Sequence, residues 1–422
     1  MATLTGSTIA SSYEQLLSLP DGGGNSTTLV AITDGDAGTT FCLQLATTSA
    51  LISGSGSKLL FSDNGGEYIS GDGTTLTITA GGASSVKLDA NSRISLSNND
   101  SGTSNTIFGK SAGASLDAGS NYNVFIGEAV SDASMNDATY NVGIGFTSLT
   151  SLTEGDNNTC IGAWAGQLLT TGDNNVAIGN GTLGATGSDN VTGDNNVAIG
   201  GSALTDIDSG YANVAIGKIC GDALTSGHSN VALGYETLSA STDVDQVTAL
   251  GYGAMGTGNA TSAADGTVAI GYKALEVLTS GTENTAIGYQ ALLGHSGGDK
   301  NTAIGYGAMD GTGASTVKDS DNNIAIGYNA MGGTWANDKC ENNIAIGNYS
   351  MDGTMDNSGS NVAIGHSSLS GNMDGCNQNV AIGQSAGGVL TAGDNNVLIG
   401  YAAGDAMTNN GDNVAVGHNA LG

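Results

Sequence analysis

One short phrase recurs through this chain: Asn, a β-branched residue, a small residue, a large apolar residue, Gly. Clear copies are Asn175-Val176-Ala177-Ile178-Gly179, Asn213-Val214-Ala215-Ile216-Gly217 and Asn323-Ile324-Ala325-Ile326-Gly327. It occurs 18 times between Asn105 and Gly417, and the closing glycines lie 17 to 22 residues apart, most often 17. A fixed period of this size defines a solenoid, in which each unit buries its apolar side only against its neighbours. The expected fold is therefore all-β: a parallel β-roll of about 18 coils, one per unit, over residues 101–422. At the strand spacing of about 4.8 Å this makes a rod of roughly 85 Å.

Positions counted from the closing Gly assign a task to each residue. Position −4 is Asn in 16 of 18 copies, with Val247 and Thr267 as the exceptions. Positions −3 and −1 are always β-branched or large and apolar, and −2 is mostly Ala. That alternation is strand periodicity. It predicts two inner ladders of Val and Ile from −3 and −1, with Ala at −2 on a second face. The stacked Asn amides should bond from coil to coil. A second short strand is expected at +3 and +4, as in Ala203-Leu204 and Ala274-Leu275, closed by a turn such as Thr171-Gly172-Asp173-Asn174. A coil this thin encloses little. The small residues at −2 and +3 are expected to let other chains pack closely against it.

The repeated Asn-x-Ala-Ile-Gly wording resembles the left-handed parallel β-roll heads of trimeric autotransporter adhesins, from about Asn105 to Gly422. That resemblance implies a homotrimer with a shared apolar core. The period here is longer, so the turns should protrude further. The resemblance also implies a secretion signal and a membrane-anchoring barrel. Met1-Ala2-Thr3-Leu4-Thr5 opens without a basic segment or apolar run, and no stretch of about 18 apolar residues follows, so neither signal nor membrane helix is expected.

The first hundred residues read differently. Ser11 to Leu19 could form two helical turns stopped by Pro20, the only proline. Residues 28–32, 41–45, 58–61 and 76–79 read as short strands between Gly/Asp turns. The opening through Tyr13, Leu16 and Leu17, then Leu29 to Gly35, resembles that of structural proteins of marine bacteriophages, including cyanophages. In those proteins such a segment ties a fibre to the virion. The expected organisation is a virion-attachment segment over 1–20, a small β-rich region over 21–100, and the roll over 101–422. The phage resemblance implies a tail fibre or other virion appendage, assembled in the host cytoplasm. It would meet other tail proteins through its N-terminus and serve host adsorption, or act as a spacer to a receptor-binding tip. A cell-surface trimeric adhesin is the alternative, and a depolymerising tailspike a lesser one.

Composition fits a fibre. With 39 acidic and 9 basic residues the net charge is −30, which disfavours a nucleic-acid partner and keeps a long rod soluble. Calcium at acidic turns such as Asp206-Ile207-Asp208 stays open as an alternative, although no copy has a known calcium-loop spacing. The five cysteines show no C-x-x-C spacing; Cys160 and Cys220 occupy small-residue slots and read as packing residues. His228, His295, His366 and His418 complete no recognisable catalytic constellation, so no enzyme activity and no cofactor are expected.

Two surface features could contact a host glycan or protein. Position +1 is Tyr in six consecutive units: Tyr235, Tyr252, Tyr272, Tyr289, Tyr306 and Tyr328. Such a ladder either stabilises the roll by ring stacking or offers a platform for sugar rings. Two insertions, 310–321 and 332–341, fall in consecutive units and bring Lys318, Trp335 and Lys339 into an acidic chain. An exposed Trp335 on such a loop would be the better candidate receptor contact, the alternative being a loop that merely packs.

Overall fold

The computed structural model describes residues 30–33, 40–46 and 49–52, and residues 104–422 apart from 185–189, 312–319 and 336–338. Two compact units divide at about residue 92. In the first, β1 (Val30–Thr33), β2 (Thr40–Ala46) and β3 (Ser49–Ile52) form an antiparallel meander, with Val30 opposite Leu45 and Leu43 opposite Ile52. The first two strands match expected ones, and β3 was not expected. The expected helix over 11–19 and the strands over 58–61 and 76–79 lie outside the described residues.

The second unit is the solenoid. Its three-residue strands begin with β4 (Thr106–Phe108) and end with β23 (Val414–Val416), and 18 of them lie in one parallel ladder. Each pairs in register with the same slot one unit on: Val214 with Val231, Ala215 with Ala232, Ile216 with Leu233. One unit thus makes one coil, as the spacing requires. The insertions do not shift this register, since Thr302 still faces Ile324 across a gap of 22 residues.

The direction the strands face corrects the sequence reading. Ala at −2 points into the coil: Ala177, Ala215, Ala249 and Ala303 are buried, while Val and Ile at −3 and −1 are half-buried and face out. The physical reason is the thinness of the coil. Its interior is already occupied by large residues from elsewhere in the unit, so the strand can contribute only a methyl. Leu and Met at +4 point in, among them Leu204, Leu238, Met255 and Leu275. So does a third ladder at −10, in the turn: Leu152, Leu169, Ile207, Leu224, Leu278, Met355, Met373 and Leu390. Nor are the small residues at +3 available to other chains; Ala203, Cys220 and Ala254 are buried within their own coils.

The stretch at +3 and +4 is not a strand in most coils. Positions +2 and +4 lie in the left-handed region, as at Glu236 and Leu238 with φ of 53° and 55°. A bulky residue there costs about 1–3 kcal/mol, and full burial of a Leu or Met side chain, at roughly 1.5–3 kcal/mol, offsets it. Where an inward neighbour is already large, the slot is glycine. A Cβ on Gly404 would lie 2.8 Å from Leu398 Cδ2, and one on Gly166 would lie 2.6 Å from Cys160 Sγ. A second pairing lies in the turn, where β18 (Met355–Asp356) runs parallel to β20 (Met373–Asp374).

Two residues fix the coil path. The closing Gly holds φ between about +120° and +145°, and a Cβ on Gly217 would sit 2.0 Å from the Gly234 carbonyl oxygen. No L side chain fits there. The Asn at −4 is buried and fully used. Asn213 Nδ2 donates to Asn196 Oδ1 at 3.1 Å and to Gly227 O at 2.8 Å, and its Oδ1 accepts from the Asn230 backbone N–H at 3.1 Å. The expected amide ladder therefore exists. It also ties the strand to the turn of the next coil, satisfying backbone carbonyls that a dry interior would otherwise strand.

Candidate binding surfaces

Three surfaces of the roll carry chemistry. The first is the tyrosine row. Consecutive rings from Tyr235 to Tyr328 stack with centroids 4.8–5.5 Å apart and planes within 6–13° of parallel. Tyr349, at +2 of the following unit, meets Tyr328 edge-on at 5.3 Å. The +1 slot follows the closing Gly directly, so the coil spacing sets the ring spacing. Rings this close cover each other's faces. An inner ring offers a ligand only its edge and hydroxyl, which leaves no room for a sugar ring to stack between neighbours. Shorter stacks recur at Tyr122–Tyr140 and Tyr401–His418.

The second surface is the insertion edge, where Trp335 is not the exposed side chain a receptor contact requires but packs inward. Trp335 is only 3% exposed; its Nε1 donates to Met331 O at 3.2 Å and its ring meets buried His295 edge-on. The indole fills space that a regular coil gives to a Leu or Met, and an insertion supplies it. Lys339, in contrast, is half-exposed and sits between Asp321 at 3.4 Å and Glu341 at 3.2 Å. The two insertions do come together there. Lys318, like Tyr13, Leu16 and Leu17, lies outside the described residues.

Lys339 stands beside a row of polar side chains at position −6. Asp173 Oδ1 accepts from Asp156 N at 2.7 Å, Asp194 Oδ1 from Asp173 N at 2.8 Å, and Asp321 Oδ1 from Asp299 N at 2.8 Å. The acids of these turns are thus part of the coil-to-coil bonding as well as solvated. At the same slot Tyr211 stacks on His228, which pairs with Asp245 at 3.0 Å. Among the described residues no group of three or more His, Cys, Asp or Glu side chains is placed to hold a metal ion. Cys160, Cys220, Cys340 and Cys376 are buried. Burial raises the Cys220 pKa to about 12 and pushes Cys160 higher still, so both remain unreactive thiols near neutral pH.

The third surface was missed because the strand was expected to face the other way. Ile178, Ile216, Ile287, Ile304, Ile326, Ile346, Ile364, Ile382 and Ile399 at −1 are each 36–38% exposed, and the −3 residues beside them are mostly half-buried. Together they form two parallel ranks along the ladder, apolar throughout at −1 and Val or Ile at −3 except at Thr106, Thr159, Thr248, Thr285 and Thr302. The sequence signal was present: Ala at −2 is too constant and too small for a surface slot. Among the described residues no helix is long and apolar enough to cross a membrane. No protein-family model matches this chain, and no curated protein matches it.

Proposed function

We propose that this chain is the trimeric fibre of a phage virion, tied to the particle by residues 1–20 and used in host adsorption or as a spacer to a receptor-binding tip. The outward Val/Ile face carries this reading. Two ranks about 7 Å apart along an 85 Å rod make a patch of roughly 600 Å², at the upper end of what a soluble monomer exposes. On a chain of net charge −30 such a patch calls for a cover. Identical copies provide one of matching length and repeat, and the adhesin-like wording makes the number three. The opening residues, with their likeness to marine phage structural proteins, supply the virion. A trimeric joint gains avidity from three short segments.

Mass spectrometry of purified virions, with native mass measurement of the isolated chain, tests both parts. A particle-associated trimer is the expected result. A stable monomer removes the assembly, and absence from particles removes the virion role. The repeat wording supports one second reading, a cell-surface adhesin, which surface labelling of cells producing the chain would reveal.

A further inference from the structure

We infer that a polar groove along the −6 edge binds a linear, uncharged oligosaccharide lying parallel to the rod. Two surface cavities of about 470 and 290 Å³ share Lys339 as a common wall. The first reaches back along the rod to Ser280 and Thr282, the second forward to Ser360 and Asn377. From Thr282 to Asn377 the −6 slot advances five coils, about 24 Å at the strand spacing. Gly281 and Gly298, at −7, line the first part of the groove with φ of 109° and 96°, and a Cβ on either would run into the carbonyl oxygen of the next coil, Gly298 O or Ser320 O, so neither position can carry a side chain.

The lining selects the ligand class. It contains hydroxyls, carboxamides, carboxylates and one ammonium, with no large apolar side chain among the described residues of either cavity. Asp299 spends Oδ1 on the Thr282 backbone at 2.8 Å, leaving Oδ2 as an acceptor. Lys339 adds a donor between the cavities. Sugar hydroxyls, each both donor and acceptor, match such a mixture. The net charge of −30 and the two carboxylates already on Lys339 disfavour acidic polysaccharides. Along the groove the −6 slot is polar at Thr282, Asp299, Asp321, Glu341 and Asn377, with Gly359 the one exception, so the groove suits a polymer of repeating units better than one compact molecule. The inner faces of the tyrosine row are closed to stacking, so the two sites are separable. The biological meaning rests on the host-surface reading; the binding itself does not.

The test titrates the intact chain, in whatever assembly it forms, with neutral oligosaccharides of increasing length from β-linked hexose and N-acetylhexosamine series. Uronic-acid oligomers serve as the opposing set. Affinity for a neutral series should rise with length and level off at about five sugars, the span of the groove. Lys339→Ala and Asp299→Ala should each weaken it about tenfold or more, with melting temperatures recorded to show intact rods. Tyr289→Ala should bind as the unaltered chain does. No neutral series bound at millimolar concentration overturns the inference, as does loss of binding in Tyr289→Ala with retention in Lys339→Ala. If neutral sugars bind as described but virions lack the chain, the groove stands and the fibre assignment falls.

Discussion

The side-chain oxygen of Asn196 accepts two hydrogen bonds from Asn213 one coil on, from its backbone N–H at 3.0 Å and its amide at 3.1 Å. Asn213 does the same for Asn230. Each amide therefore both receives the previous coil and positions the next.

Replacing Asn213 with Ala should remove the bond to the Gly227 carbonyl and the acceptor for Asn230, leaving buried groups unpaired. A loss of about 2–5 kcal/mol is expected from two such groups, read by chemical denaturation. The natural gap at Thr267 gives the opposite test. Its hydroxyl is buried without a partner, so Thr267→Val should raise stability by about 1–3 kcal/mol.

Neighbouring residues on one strand should fail in different ways. Ala215 is enclosed by its own coil, whereas Ile216 faces out. Ala215→Glu should unfold the local coils, seen as lost protease resistance. Ile216→Lys should leave the roll folded but separate the copies of the proposed trimer, seen by sedimentation. If Ile216→Lys leaves the mass of the assembly unchanged, the outward face is not the interface.

Trp335→Ala should act on stability, not on adsorption. An indole this buried leaves a cavity worth about 3–5 kcal/mol, and the melting temperature should fall accordingly. Normal stability together with weakened adsorption would contradict the packing described above.

Asp222 should make the roll sensitive to pH. Burial lifts its carboxyl from 3.8 to about 6, with Asp206 and Glu236 adding to the rise, and its Oδ1 is buried without a partner. The folded chain thus holds the proton more tightly than the unfolded one. The resulting stability is complete below about pH 3.8 and is lost as the pH rises through 6. Asp222→Asn should therefore melt higher than the unaltered chain above pH 6, and the gap should close near pH 4. A gap independent of pH would assign the effect to something other than this proton.

The repeat made the architecture legible because the same phrase, returning every 17 to 22 residues, leaves only one in-register stacking. Asn at −4 was legible for the same reason, as a polar residue kept in 16 of 18 otherwise apolar phrases. The facing of the strand was not, because alternation marks two sides without saying which one is enclosed. Deciding that needed the space taken by Leu204 and Leu224, which arrive from other parts of the coil. Trp335 misled for a related reason. An insertion reads as a protruding loop, yet this one returns its largest side chain to the −10 file.

Sixteen of the 18 coils present the same Asn acceptor, and every coil turns through the same backbone corner at Gly. A unit copied or removed in frame, such as 218–234, would find its neighbours unchanged in kind. Length in this molecule is therefore free to drift by recombination between near-identical segments, in steps of one coil. The chemistry of any single stretch, such as the tyrosine row or the edge beside Lys339, can travel along the rod without being rebuilt.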